Sequence, residues 1–598
     1  MRRLFRTTPS GRIGLLFALF ALLVVPSVAG NQWLNIFTST ACFALAVAGV
    51  AFMYARLGMV SLTQVGLMGV GGWVLLRLNH GTTLPFEANL IAAGAVTMVL
   101  GMILALPALR LRGLYLALVT LMAAGGIEIV LATFQFPNGG AGFWGVQTGS
   151  GEPFRRPAIA QTDESYLRYT LFVVVLGFLL IELHRRLAPG RAWALIRRSE
   201  AAAMSAGVNV TLYKTWAFAL SGLLAGIAGG LLAGSLGLLD GGTFRASESV
   251  LVYALAVVGG ANFWLGAVIA AALFRILPAL LNNWGLDADL SFVIFGAGLL
   301  HAVITAPNGI AGQVMDLAAG LRARLGWRPA GPAGAVAGET GAAGEPGAAV
   351  RRFDAAGGLD APIEIRDLTV RFGGVLALDR VEAVFTRPVS GIIGPNGAGK
   401  TTLMNVFSGF VKTESGSIRA GDTDLMRLPA HRRGLWGLRR SFQREEIADD
   451  LSVGQNVAVQ LDGLGLAPGV RQAEVARALA MVGLAAQAEL PAGALNSYQR
   501  RLVDIAKCVV GGPKIIMFDE PAGGLSTEET RALGDLILQI HARTGAMTLV
   551  IDHDVDLIAR ICEETLVLDF GKQIAFGRTA RVLADPKVRA AYLGLEEV

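Results

Sequence analysis

Apolar residues along this chain gather into long blocks separated by short polar or basic stretches, and the pattern changes character abruptly near residue 326. A helix that crosses the hydrocarbon layer needs about 20 apolar residues, because backbone groups there must pair within the segment. By that measure spans are predicted near 13–29, 33–55, 58–78, 89–108, 114–134, 168–183, 213–236, 248–261, 263–282 and 289–306. From 326 to 360 the text becomes GWRPAGPAGAVAGETGAAGEPGAAVRRFDAAGGLDAP, which lacks periodicity and bulk and reads as a flexible linker. Beyond it, strand-like runs (IEIRDLTV, SGIIG, KIIMFDE, MTLVIDH) alternate with helical stretches, as a sheet fed by helical connections requires. The predicted architecture is a polytopic α-helical membrane domain over 1–325, a linker over 326–360 and an α/β domain over 361–598.

Composition supports that division. Apolar residues reach 53% of the 598 and charged residues only 16%, against about 25% charged in soluble domains. Residues 1–329 carry 22 Lys+Arg against 12 Asp+Glu, and the remainder 29 against 33. The basic excess therefore belongs to loops between spans, where it marks the cytoplasmic side, and nucleic acid need not be invoked as a partner. Arg2, Arg3, Arg6 and Arg12 hold the N-terminus inside, Arg110, Arg112 and the run from His184 to Arg198 mark later inner loops, and an even count of ten spans returns residue 310 to the same side. The first span has a second reading, since a basic start, a short apolar stretch and Ser27-Val28-Ala29 also describe a cleavable signal peptide; a retained helix is preferred. Cys42, Cys508 and Cys562 stand far apart with no metal or disulfide spacing and are read as packing residues.

The densest chemistry lies in GPNGAGKTT, comprising Gly394, Pro395, Asn396, Gly397, Ala398, Gly399, Lys400, Thr401 and Thr402, between a strand-like SGII and a helix-like TLMNVFSGF. Glycines at these positions let backbone N–H groups turn toward phosphate at a helix N-terminus. Lys400 is placed to meet the β- and γ-phosphates of ATP and Thr401 to ligate Mg²⁺. About 120 residues later, Lys514-IIMF-Asp519-Glu520 ends an apolar strand in two acids. Asp519 suits the metal's coordination shell, and Glu520 is positioned to polarise an attacking water.

The order of these motifs over 362–598 resembles an ABC ATPase. The resemblance implies an adenine-stacking role for Phe372 in VRFGG, a γ-phosphate-sensing and metal-contacting role for Gln443 in SFQ, a switch-histidine role for His553 in VIDHD, and a D-loop at Gly524 to Ser526. The chain departs from the family at the signature, where LSGGQ is expected and Leu495, Asn496, Ser497, Tyr498 and Gln499 stand. In the family that loop caps the ATP bound by the opposite ATPase, so Tyr498 is expected to obstruct it, while Asn496 retains a hydrogen-bonding group. An asymmetric engine follows: one complete ATP site here, and a second ABC ATPase with an intact signature as partner.

Residues 30–325 resemble the permease subunits of branched-chain amino acid importers, in ARLGMVSLTQVGLMGVGGW, LPALRLRGLYLALVTLMAAGGIEIVL and GRAWALIRRSEAAAMSAGVNVTLYKTWAFALSGLLAGIAGGL. Glu200, Ala201, Ala202 and Gly207 resemble the importer coupling helix, one residue longer than the usual spacing, with Arg197, Arg198 and Lys214 expected to meet Glu445 or Glu446. Gly222, Gly226, Gly229 and Gly230 favour close helix packing. Glu128, Arg77 and Arg275 lie within or beside spans, as buried partners or snorkelling edges. The resemblance implies a multi-pass inner-membrane protein with a cytoplasmic ATPase. It also implies a second permease subunit, an extracytoplasmic solute-binding protein and a small-molecule substrate, branched-chain amino acids first. The alternatives are an ABC half-exporter, which has the same domain order, and a membrane-anchored regulatory ATPase.

Overall fold

A computed structural model describes residues 21–111, 113–137, 154–287, 289–305, 309–324, 358–359 and 361–593. The chain divides into two compact units, one of Met1–Leu187 with Thr211–Glu345, the other of Ala188–Val210 with Pro346–Val598. A stretch of 23 residues lying between membrane helices in sequence thus folds with the ATPase region.

In the first unit six described helices are long and apolar enough to span a membrane: Asn31–Leu57, Phe86–Ala108, Gly113–Phe134, Asp163–Arg186, Val210–Leu236 and Trp264–Asn283. Of the ten expected spans, three fall short of this standard and the first lies largely outside the described residues. The blocks near 58–78, 248–261 and 289–306 form shorter helices, Gln64–Gly81, Ala246–Gly259 and Leu290–Thr305, of 18, 14 and 16 residues. Glycines end helices inside these blocks: Gly58 and Gly260 close their preceding helices with φ of 66° and 106°, a region open to residues without a Cβ. These three blocks fall short of a full apolar span, so an even count no longer fixes the side of residue 310. Of the expected first span only 21–29 is described, and the expected linker, apart from 358–359, lies outside the described residues.

Helices Asn31–Leu57 and Val210–Leu236 form the interior, with 89% of their most apolar windows buried, while the other four spanning helices bury 28–33% and turn apolar faces outward. Small residues let Val210–Leu236 pack closely against Phe86–Ala108 and Gln64–Gly81. A Cβ at Gly226 would strike Thr97 Oγ1, and one at Gly229 would strike the Met68 carbonyl. Backbone approach of this kind gains dispersion contacts that apolar lipid does not supply. Glu128 accepts a hydrogen bond from the Ala246 N–H at 2.8 Å, setting its carboxylate at the start of the 246–259 helix, where the helix dipole favours it. The Arg275 guanidinium lies 5.3 Å from the Phe43 ring centroid.

The second unit contains a six-stranded sheet in the order β10-β9-β3-β8-β7-β6 and a four-stranded antiparallel sheet in the order β2-β1-β4-β5. In chain order β1 is Ile363–Phe372, β2 Val375–Phe385, β3 Val389–Ile393, β4 Ser415–Ala420, β5 Thr423–Asp424, β6 Leu438–Arg440, β7 Ile515–Asp519, β8 Met547–Ile551, β9 Glu564–Asp569 and β10 Lys572–Arg578. Strands β9, β3, β8, β7 and β6 run parallel and β10 pairs antiparallel at one edge. β3, β7 and β8 are buried at every position, which explains their predominantly apolar text. Helices Val453–Asp462, Pro468–Met481 and Ser497–Cys508 add a helical region whose apolar residues share a core with the sheet's flanking helices. Cys508 and Cys562 sit in that core as free thiols, and Cys42 is buried in the membrane unit.

Candidate ATP site

Four neighbouring strands deliver the chemistry from their carboxyl ends, where open α/β sheets place their ligands. β3 feeds the loop Gly394–Gly399, β8 leads to Asp552 and His553, β7 ends in Asp519 and Glu520, and β6 leads to Ser441, Phe442 and Gln443. Residues separated by more than 150 positions thereby meet on one edge.

The loop after β3 runs into the helix Lys400–Ser408 through Gly399, at φ 101°. A Cβ there would lie 2.7 Å from the Ala377 carbonyl oxygen, so both conformation and space demand glycine. Lys400 Nζ donates to the carbonyls of Gly394 at 2.6 Å and Pro395 at 2.9 Å. Burial lowers its pKa from the ordinary lysine value, and Glu520 and Asp519 oppose that shift. Thr401 is exposed and Thr402 half-buried on the first turn. Phe372 ends β1 with half its surface open.

Glu520 adopts φ 49°, a left-handed conformation uncommon for a non-glycine residue. Its N–H donates to the Ile551 carbonyl at 2.8 Å, which ties the ends of β7 and β8. Its carboxylate receives Gln443 Nε2 on Oε2 at 2.7 Å and lies 2.7 Å from His553 Nε2 through Oε1. The structure thus brings together three residues that the sequence singled out separately. Asp552, beside His553, accepts from the N–H groups of Ala522 and Asp554, and burial raises its pKa despite those bonds.

Asp519 carries a partner that sequence reasoning missed. Arg440 Nη2 donates to Asp519 Oδ2 at 2.8 Å, with both side chains more than nine-tenths buried. The same guanidinium donates to Asn405 Oδ1 and Ser408 Oγ and lies over the rings of Phe410 and Phe442. Burial lowers the Arg440 pKa, with Asp519 opposing. The available signal was a charged pair, Arg439-Arg440, directly before SFQ in a strand too short to be solvent-facing along its length.

At 495–499 the expected loop begins the helix Ser497–Cys508. Leu495 is buried, and Asn496 is the N-cap, accepting from the Gln499 N–H at 2.8 Å while Gln499 Oε1 accepts from the Asn496 N–H. Asn496 Oδ1 is therefore engaged in its own cap. Tyr498 is half-buried and packs against the apolar core cluster. No glycine stands in 495–499. Gly524 has φ 77°, and Ser526 caps the helix Thr527–Thr544.

Ala188–Val210 folds against the same unit through two helices, Ala188–Arg198 and Glu200–Ser205. Ser199 caps the second, and Gly207, at φ 79°, ends it with the Val208 N–H donating to the Ala203 carbonyl. Glu200 is half-buried on the first turn, Ala201 half-buried and Ala202 buried. Arg198 pairs with Glu446 at 3.0 Å and donates to the Glu445 carbonyl, while Arg197 lies 3.6 Å from Asp450. Lys214 departs from expectation: it belongs to the membrane unit, where Nζ donates to the Ala108 carbonyl at 3.3 Å.

A phosphate-binding loop, a paired acid at the next strand end and a glutamine and histidine converging on that acid define an ATP-hydrolysing cassette, here carried by a chain of membrane-spanning helices. Comparison with known proteins agrees on both halves. Residues 32–303 match the family described as branched-chain amino acid transport system, permease component, and residues 384–523 match the ABC transporter family. The chain is similar to the high-affinity branched-chain amino acid transport ATP-binding protein BraF of Pseudomonas aeruginosa, 35% identical over 248 residues that cover 39% of this chain and 97% of BraF. It is similar to LivG of Escherichia coli, of the same description, at 33% identity with the same coverage. It is also 34% identical over 220 residues to the lipopolysaccharide export system ATP-binding protein LptB of Acidithiobacillus ferridurans, covering 37% of this chain and 91% of LptB. The chain belongs to the branched-chain amino acid ABC transporter family, as a permease component fused to its ATP-binding component. It is a multi-pass inner-membrane protein whose cytoplasmic ATPase binds ATP and couples its hydrolysis to transport.

Proposed function

We propose that this chain drives uptake of branched-chain amino acids or closely related small solutes, in a complex with a second permease, a second ATPase and an extracytoplasmic solute-binding protein. The observation that carries the importer reading is the match of residues 32–303 to a branched-chain amino acid permease. The ATPase alone is not decisive, because it resembles LptB, named for export, about as closely as LivG.

In this reading Gly394 to Thr402 cradle the phosphates and Phe372 stacks on adenine. Gln443 and His553 orient Glu520, which takes the proton of the attacking water as general base. Thr401, Gln443 and Asp519 offer the hard oxygen donors that suit Mg²⁺. An ion held by one carboxylate together with nucleotide phosphates is the usual Mg²⁺ arrangement. Such an ion would neutralise phosphate charge. The segment containing Glu200, Ala201, Ala202 and Gly207 transmits closure to the permease.

The engine is asymmetric. The absence of glycine from 495–499 supports a weak contribution to a partner's ATP. Uptake of labelled leucine by vesicles containing the whole assembly, with and without Lys400→Ala, tests transport: loss of ATP-dependent uptake in the variant is expected, and its absence from every intact assembly overturns the reading. Brisk ATP hydrolysis by the purified chain with no second ATPase would overturn the asymmetry.

A further inference from the structure

Asp462 is the last residue of the helix Val453–Asp462, so its carboxylate sits at the negative end of that helix's dipole. Its side chain is also buried, at 7% exposure. Both placements disfavour an anion unless cations answer it. Two arginines do: Arg471 Nη1 at 2.9 Å from Oδ1, and Arg191, which grips both oxygens, Nε to Oδ2 at 2.8 Å and Nη2 to Oδ1 at 2.6 Å. Arg191 is 9% exposed and comes from the helix Ala188–Arg198, which lies between membrane helices in sequence. The surrounding contacts are shaped to the same segment. A Cβ on Gly463 would meet the Leu435 side chain at 2.5 Å, a Cβ on Gly207 would meet the same Leu435 at 2.6 Å, and a Cβ on Gly434 would meet the Ser205 carbonyl at 2.6 Å.

We propose that the buried Arg191–Asp462 pair is a specificity lock by which this ATPase region holds the inter-span segment of its own chain in a single register. A buried bidentate pair is suited to selection more than to net stability. A segment offering any other side chain at 191 leaves Asp462 desolvated with only the half-exposed Arg471, whereas a planar fork in place satisfies both oxygens. The other pairs along the segment, Arg197–Asp450 and Arg198–Glu446, are exposed enough to be screened by salt, so they add attraction without the same penalty for a mismatch. The inference concerns docking and stands apart from the identity of the solute.

The test uses the full chain, purified in detergent, carrying a protease site inserted after Ala342. After cleavage, release of the ATPase half from the membrane half is followed by size exclusion at high ionic strength, where the exposed pairs are screened. The wild type and Arg471→Ala are expected to stay associated. Arg191→Ala should release the ATPase half at least about tenfold faster, and Arg191→Lys, which keeps charge but not the fork, should fall between. Arg191 is not part of the cleaved ATPase half, so its substitution cannot act by unfolding that half. Release of Arg191→Ala at the wild-type rate, or equal release of Arg471→Ala and Arg191→Ala, overturns the proposal while leaving the transport reading untouched.

Discussion

Replacing Arg440 by alanine removes a guanidinium that makes a 2.8 Å ion pair with Asp519, donates to Asn405 and Ser408, and lies over two aromatic rings. Asp519 would then stay buried without its cation, a change worth about 3–5 kcal/mol of destabilisation. For a region of this size each kcal/mol moves the midpoint by about 2–4 °C, so the thermal transition of the ATPase region should fall by about 6–20 °C. Arg440→Lys retains the charge without the two-pronged geometry and should lose roughly half as much. The assay is thermal unfolding of the detergent-purified chain, followed by a probe confined to the ATPase region, without nucleotide and with saturating Mg-ATP. Ligand binds only the folded form, so at equal affinity it raises both midpoints and leaves the stability gap between variant and wild type in place, while a wider gap would report weaker Mg-ATP binding by the variant. A transition for Arg440→Ala within about 2 °C of wild type would refute the claim that Arg440 holds Asp519, since the expected shift is several times larger.

Glu520→Gln should cut hydrolysis by about 10²–10⁴-fold while ATP binding is retained, as measured by phosphate release beside nucleotide binding. Gly399→Ala must place an alanine at φ 101° with its Cβ against the Ala377 carbonyl, at a cost of about 1–3 kcal/mol; weakened nucleotide binding and a lower ATPase midpoint are the readouts. Burial raises the pKa of Glu446, with Arg198 and Lys507 opposing. A raised folded pKa means that its stabilising share is complete below the ordinary glutamate value and is lost as pH rises through the raised value. Glu446→Gln should flatten the pH dependence of the midpoint in that window, and an unchanged profile would count against the shift. Gly226→Leu, which drives a side chain into Thr97 and the Ala93 carbonyl, should cost about 1–3 kcal/mol or more in the membrane unit, visible as reduced yield of folded protein.

The ATPase was legible because its motifs are local: GPNGAGKTT and KIIMFDE each place a strand, a turn and a chemical group within a few residues, and β3 and β7 lie where those runs place them. Gln443 and His553 were singled out only by resemblance, and their convergence on Glu520 came from the structure, since no spacing in one dimension shows that β6 and β8 flank β7. Arg440 went unnoticed because a basic residue in a strand ordinarily signals an exposed edge, and only the neighbouring Asp519 and two phenylalanines make its burial tolerable. In the membrane half, apolar content located the blocks but not the ends of their helices, which Gly58 and Gly260 set by backbone conformation. The position of 188–210 with the ATPase region was foreshadowed by its resemblance to a coupling helix, yet Arg191 was indistinguishable in sequence from the other arginines of that basic run.

The central claim, that ATP spent at Glu520 moves a solute across the membrane through this chain, is tested most directly by measuring leucine uptake and phosphate release together. Both are followed in the same vesicles for wild type and Glu520→Gln. The account predicts that both fall in the variant while ATP binding persists. Leucine uptake that continues at the wild-type rate in Glu520→Gln vesicles would contradict it.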